Sequence, residues 1–225
     1  MNERVCPRSL EVITLRKKER ALAFIEVLEK LYPDAICSLE YKDPFQLLCA
    51  VQLSAQCTDA RVNLVTPALF EAFPDAPTMA KADLKEVERL IKSCGFYHNK
   101  AKNLIACANQ LVDEYNNTLP DNMENLLKLA GVGRKTANLI LGDVYKKGGM
   151  VIDTHAKRIL YRMGLTTKQD PTQVEMETSP LIPINMQSDF CHRLVLFGRD
   201  ICTARKAYCD RCPAAEFCPK NGPVK

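Results

Sequence analysis

"LAGVGRKTANLILG", Leu129–Gly142, sets two glycines one residue apart between apolar turns and follows them at once with Arg134 and Lys135. A phosphate-binding P-loop needs Gly directly before its Lys, a second Gly further upstream and a preceding strand. Here Arg134 precedes Lys135, and Leu129 fills the distal glycine position. A dinucleotide fingerprint needs a further Gly where Thr136 stands, again after a strand. Both readings fail. What remains is a turn between two helices. Gly131 and Gly133 permit positive φ and the close approach of an external group. The helix that restarts there presents free N–H groups and a partial positive charge. That is an anion site suited to a nucleic-acid phosphate, and it reads no base sequence. A plain αα-hairpin turn with nothing bound explains the glycines equally well.

The surrounding chain reads as helical almost throughout. "RKKERALAFIEVLEKLYP" spaces Leu22, Ile25, Leu28 and Leu31 on one face, with Pro33 as the stop. Asp43-Pro44 opens a helix, and Thr66-Pro67 is expected to do the same. Gly95 and Gly164 close the helices "DLKEVERLIKSCG" and "THAKRILYRMG". No alternating run bounded by turns supports a sheet, and no repeat is present. The expected class is all-α.

The chain of 225 residues carries a modest net charge of +4. The cations gather at 134–162, whereas 166–190 is acidic. This fits a polyanion-binding face, and an ordinary solvated surface fits it too. No apolar stretch approaches bilayer length, and the N-terminal residues lack an apolar signal region. The expectation is an intracellular, cytoplasmic protein with no membrane partner. Of eleven cysteines, seven are scattered and read as free thiols: Cys6, Cys37, Cys49, Cys57, Cys94, Cys107 and Cys191.

The other four stand as Cys202-x6-Cys209-x2-Cys212-x5-Cys218. Four thiolates in so short a segment suit either Zn²⁺ or a [4Fe–4S] cluster. Structural zinc usually pairs two CxxC units, and the presence of only one leans towards iron–sulfur. The loop after Cys202 carries Arg205 and Lys206, so a group tying it down would hold two cations in place.

Taken together, "LSAQCTDARVN", "GFYHNKAKNL", "LAGVGRKTAN", "VIDTHAKRI", "LFGRDIC" and the cysteine spacing resemble the endonuclease III family of helix-hairpin-helix DNA glycosylases. The resemblance runs from about Leu22 to Cys218. Two positions depart from the family pattern: Ala130 stands for the usual Pro, and Cys57 for the usual Ala. The resemblance implies two helical domains flanking a DNA-binding cleft. One is a six-helix barrel over 37–147, ending in the hairpin. The other is discontinuous, 1–36 and 148–225, and holds a [4Fe–4S] cluster on Cys202, Cys209, Cys212 and Cys218. It implies a bifunctional N-glycosylase and abasic-site lyase of base excision repair, which removes oxidised pyrimidines from double-stranded DNA and acts as a monomer.

By the same resemblance, Lys135 attacks the sugar C1′, expels the base and passes through a Schiff base to β-elimination. Such an amine must be neutral part of the time, and a partly desolvated place at a helix N-terminus beside other cations favours that. Asp153 stabilises charge at C1′ or helps deprotonate the lysine, with Thr154 capping the following helix. As a plain structural residue, Asp153 would itself be that cap. Gln56 and Phe96 match the positions that fill the duplex when a nucleotide swings out; for Phe96, core packing competes. Asp59 and His155 match positions lining the cleft. His98 and His192 read as structural. The DNA contacts expected are thus Gln56, Phe96, Gly131, Gly133, Arg134, Thr154, His155, Arg205 and Lys206. Three alternatives compete. An adenine-type glycosylase is disfavoured by Lys135, and a non-catalytic DNA-binding module by the Lys135–Asp153 pair. An electron carrier would need neither glycine.

Overall fold

The computed structural model describes residues 15–220, so Cys6 lies outside the described residues. It divides into two compact units. One is Cys37–Tyr145; the other joins the chain up to Ile36 with the chain from Lys146 onward. The described residues contain no strand, only an isolated antiparallel bridge between Cys202 and Ala207. The expected all-α class holds. Among the described residues no helix is long and apolar enough to cross a membrane.

The elements are α1 (Lys17–Leu31), α2 (Pro44–Leu53), α3 (Asp59–Ala72), α4 (Ala76–Ala80), α5 (Leu84–Ile91), α6 (Tyr97–Tyr115), α7 (Met123–Leu126), α8 (Arg134–Asp143), α9 (Thr154–Arg162), α10 (Pro171–Thr178) and α11 (Gln187–Asp200). One local device starts many of them. The Asp43 carboxylate accepts from the Gln46 N–H at 2.9 Å, with Pro44 at the first helical position. Asp83 does the same for α5, and Asp170 with Pro171 for α10. Each cap satisfies an N–H that the helix itself leaves unpaired, worth about 1 kcal/mol.

In the Cys37–Tyr145 unit, α2 is apolar all round and buried from Phe45 to Leu53, as the central helix of a bundle must be. It packs against α3, α6 and α8. The reading of Pro67 needs correction. Pro67 lies inside α3, and the helix begins eight residues earlier, where the Thr58 hydroxyl accepts from the Arg61 N–H. A proline forfeits one backbone bond, but Val62, Thr66 and Leu69 are buried on the core face and hold the helix through it.

In the second unit, α1 buries Ala21, Phe24, Ile25 and Leu28. Leu22 is exposed, so the apolar face runs through Phe24 and not through Leu22 as the sequence reading placed it. Phe24 meets Phe190 and Phe197 of α11 edge-on, with centroids 6.1 and 5.3 Å apart. Helices α9 and α11 approach closely at Gly198. A Cβ there would stand 2.5 Å from His155 Nδ1 and 2.9 Å from Arg158 Nη2, so only glycine allows this approach.

Phe24→Ala empties the centre of that aromatic cluster. Chemical denaturation should show a loss of about 3–5 kcal/mol.

Candidate active site and nucleic-acid interface

Between α7 and α8 the chain turns at Gly131, whose φ is +74°. A Cβ at Gly131 would lie 2.8 Å from Gln52 Oε1 and 2.9 Å from Asn103 Cβ, so the turn is pressed against α2 and α6. Gly133 differs. Its φ is −97° and a Cβ would meet nothing within 4 Å. Only Gly131 uses the positive φ expected of both glycines. Gly133 occupies the N-cap position without a side chain, which leaves open space over the start of α8. The N–H groups of Lys135 and Thr136 fall in the first turn of α8, where a helix supplies no i−4 acceptor of its own. Lys135 itself is exposed, so its own unit does not supply the desolvation expected for the amine. Arg134 is half-buried at the first position of α8.

A residue that the sequence reading passed over holds the turn. Gln110 of α6 accepts from the Ala130 N–H at 2.7 Å and donates to the Lys128 carbonyl at 3.0 Å. A proline at 130 has no N–H to offer. Ala130 therefore exchanges ring stiffness for a hydrogen bond, and Gln110 is its counterpart.

Gln56 and Phe96 are both exposed and both left-handed, with φ of 53° and 48°. For side chains of this size that conformation is strained. Phe96 is 67% exposed, which removes core packing as its explanation. The ammonium of Lys100 braces both turns from beneath, donating to the Leu53 carbonyl at 2.8 Å and to the Cys94 carbonyl at 2.5 Å. Asp59, the first residue of α3, accepts from the Ser38 hydroxyl at 2.5 Å.

In the other unit Asp153 is the N-cap of α9: its Oδ1 accepts from the Ala156 N–H at 2.7 Å. This corrects the expected division of labour. Thr154 does not cap; it is the first helical residue, and it is exposed. The cap bond fixes where the Asp153 carboxylate points. His155 is half-buried, and its Nδ1 pairs with Arg158 Nη2 at 3.1 Å. An arginine only donates, so Nδ1 accepts and the ring is neutral in this arrangement. Burial above all pushes His155 below the usual histidine range; Arg158 and Arg199 add to this, while Asp153 opposes it. His98 pairs with Glu88 at 2.8 Å, and His192 lies 3.4 Å from the Ser188 hydroxyl.

Arg205 and Lys206 are exposed in the loop between Cys202 and Ala207. The loop is held by more than its cysteines. Thr203 Oγ1 donates to the Lys206 carbonyl at 2.6 Å and accepts from the Lys206 N–H at 3.1 Å. Lys206 also lies over the Tyr208 ring, 4.8 Å from its centroid. Among the described residues no three His, Cys, Asp or Glu side chains converge as the ligands of a bound ion do. The thiols of Cys202, Cys212 and Cys218 nevertheless lie within electrostatic reach of one another. Arg162 Nη1 reaches Cys202 Sγ at 3.4 Å, and the Lys220 N–H reaches Cys218 Sγ at 3.4 Å. N–H donors aimed at sulfur are what a thiolate-held group requires. Thiols with such donors suit a thiolate-held metal group. Lys135, Gly131, Gly133, Arg134, Gln56 and Phe96 belong to one compact unit; Asp153, Thr154, His155, Arg205, Lys206 and the four cysteines belong to the other.

Residues 49–183 match the model of the HhH-GPD superfamily of base excision DNA repair proteins. Endonuclease III of Synechocystis sp. is 47% identical over 204 residues, covering 90% of this chain and 93% of that protein. The enzyme of Escherichia coli K12 is 33% identical over 201 residues, covering 89% and 95%. The chain belongs to the endonuclease III family. A solved non-covalent endonuclease III–DNA complex superposes with a TM-score of 0.84 at 37% identity, over 92% of this chain and 97% of that one. A trapped endonuclease III–DNA covalent intermediate gives the same values. A thermostable thymine-DNA glycosylase shares the fold, with a TM-score of 0.81 at 20% identity.

Within this endonuclease III homologue, sequence reasoning missed Gln110, Lys100 and Arg158. The last donates to the carbonyls of Gly198 and Cys202, at 3.1 and 2.9 Å, and so locks α9 to the end of α11. None has a local signal, because the partners that matter, Lys128 and Ala130, Leu53, and Gly198 and Cys202, are distant along the chain. The two hairpin glycines should separate in thermal or urea denaturation. Gly131→Ala costs about 1–2 kcal/mol from φ alone, with the Gln52 contact in addition. Gly133→Ala stays within about 1 kcal/mol of the parent.

Proposed function

We infer that the protein is a base excision repair enzyme, a DNA glycosylase that also cleaves the strand at abasic sites, acting on double-stranded DNA. The observation that carries this reading is an exposed Lys135 on the first turn of α8, next to a side-chain-free N-cap that a phosphate can approach. The covalent intermediate trapped in a relative calls for a nucleophile, and a hairpin lysine supplies one.

The chemistry runs through this chain's own groups. The neutral Lys135 amine attacks C1′ of the damaged nucleoside, and the N-glycosidic bond breaks with the base as leaving group. The sugar ring opens to a Schiff base on Nζ. Loss of a proton from C2′ then expels the 3′ phosphate, which cuts the strand. Binding to the duplex and expulsion of water supply the desolvation that the exposed amine lacks in the free protein. The Asp153 carboxylate, aimed by its cap bond to Ala156, stabilises positive charge developing at C1′ and accepts a proton from Lys135. Arg134, the hairpin glycines, Thr154, His155, Arg205 and Lys206 hold the backbone of the DNA. Gln56 and Phe96 occupy the space vacated by the extruded nucleotide; their exposure and strained backbone support that role. The substrates are oxidised pyrimidines and abasic sites, and the working form is a monomer.

Cys202, Cys209, Cys212 and Cys218 hold a [4Fe–4S] cluster, whose contribution is to fix the C-terminal loop. The Arg162 guanidinium then offsets negative charge on the Cys202 sulfur. The unit Cys37–Tyr145 serves as the hairpin-bearing barrel, and the unit that joins the chain up to Ile36 with the chain from Lys146 onward serves as the cluster domain, two residues from the boundary expected at 147/148.

Borohydride should trap a covalent adduct between the parent protein and DNA carrying an abasic site; Lys135→Ala should form none. An undiminished adduct in the variant would refute the assignment. Protein purified without oxygen should be brown, with iron and sulfide in equal amounts. A colourless protein with stoichiometric zinc would contradict the cluster.

A further inference from the structure

Lys100 is buried, only 7% exposed, and no step of the reaction given above uses it. It stands on α6, whose N-cap is Phe96, and its backbone N–H donates to the Phe96 carbonyl at 3.1 Å. Its ammonium donates to the Leu53 carbonyl at 2.8 Å and to the Cys94 carbonyl at 2.5 Å. Both acceptors end helical elements. Leu53 is the last residue of α2, and Cys94 the last of the 3₁₀ turn Lys92–Cys94. Carbonyls at such ends have no partner further along their own helix and carry partial negative charge, so a cation there is favourable.

One charge therefore serves two ends, and a left-handed residue follows each. Gln56 stands three residues beyond Leu53, with φ of 53°. Phe96 stands two residues beyond Cys94, with φ of 48°, after Gly95 at +56°. Burying an ammonium is costly unless it is hydrogen-bonded, and these two carbonyls supply the bonds. The two ends cannot separate without stranding the charge.

We propose that Lys100 is a positioning residue of the reaction: its single ammonium ties the turn of Gln56 to the turn of Phe96, so that both side chains enter the duplex as one preset wedge when a paired nucleotide is extruded. This role rests on the wedge reading of Gln56 and Phe96 given above. Extrusion breaks a base pair and its stacking, and the wedge must fill the gap as it opens. Turns free to move separately would have to be ordered during that step, which adds to its cost. Lys100 reaches no reacting atom, so its influence is confined to removal of a base from the stack. An abasic site has no base to unpair, and cleavage there draws less on the wedge.

Lys100→Met keeps a long apolar stem and removes the charge. The test uses cluster-loaded enzyme in excess over DNA, at a temperature where circular dichroism shows the variant folded. Excision of a single oxidised pyrimidine from a fully paired duplex should slow about tenfold, while cleavage of the same duplex carrying an abasic site falls less than about twofold. The loss on the paired lesion should vanish when Gln56 and Phe96 are both alanine, because Lys100 then has no wedge to hold. A lysine that only stabilises the fold gives equal losses on both substrates and the same loss in the double-alanine background. Either result overturns the positioning role, and so does excision at the parent rate. Should Lys100→Met not fold, Lys100→Gln, which keeps N–H donors on a shorter stem, goes through the same comparison with the same outcomes. The wedge reading is checked separately. Gln56→Ala and Phe96→Ala excising the paired lesion at the parent rate would remove that reading. Slowed excision in both, with Lys100→Met at the parent rate, would remove only the role of Lys100.

Discussion

The hairpin depends on a contact that leaves no room for a side chain. Gly131 presses its Cα side against Gln52 of α2 and Asn103 of α6, while Gln110, further along α6, clips the turn on either side through Ala130 and Lys128. Because α2 is the buried centre of its unit and α6 its longest helix, the turn inherits the rigidity of the core. The start of α8 is thereby aimed by packing, and Lys135 is aimed with it. A reactive amine on a free loop would lose the orientation on which covalent catalysis relies.

The same economy recurs in the other unit. Asp153 caps α9 through its carboxylate, so one hydrogen bond to Ala156 both stabilises the fold and orients the group proposed to react. Gly198 lets α11 approach α9 until Arg158 can bind the carbonyls of Gly198 and Cys202. The helix that carries Asp153 and His155 is in this way joined to the segment that carries the cysteines. The loop of Arg205 and Lys206 is closed by Thr203 and the Cys202–Ala207 bridge, and cluster ligation would reinforce an arrangement already made by hydrogen bonds.

Two of the non-glycine residues with positive φ carry the side chains proposed to fill the duplex. Gln56 and Phe96 adopt left-handed conformations although neither is glycine, and both side chains remain in solvent. Such conformations persist only when their surroundings over-determine them. Lys100 supplies that constraint: a buried ammonium with two carbonyl acceptors draws both turns to one point. Family membership accounts for the enzyme class, and these local departures from ordinary backbone geometry support the wedge roles proposed for Gln56 and Phe96.

The all-α class, the Asp-capped helix starts and the hairpin glycines were legible in the sequence because each follows from a few adjacent residues. An Asp before Pro caps whatever packs above it, and two glycines before a cationic helix start mark the turn. The cysteine spacing was legible for the same reason. Tertiary structure alone decided which glycine takes positive φ, since Gly131 and Gly133 differ only in what stands beside them. It also placed Pro67 inside α3, where burial of Val62 and Leu69 outweighs one lost backbone bond, and turned Leu22 outward in favour of Phe24. It made Asp153, and not Thr154, the cap of α9. Gln110 against Ala130 and Lys100 against the Leu53 carbonyl are long-range pairings. Periodicity and capping rules describe neighbours along the chain, and only the folded core brings these partners together.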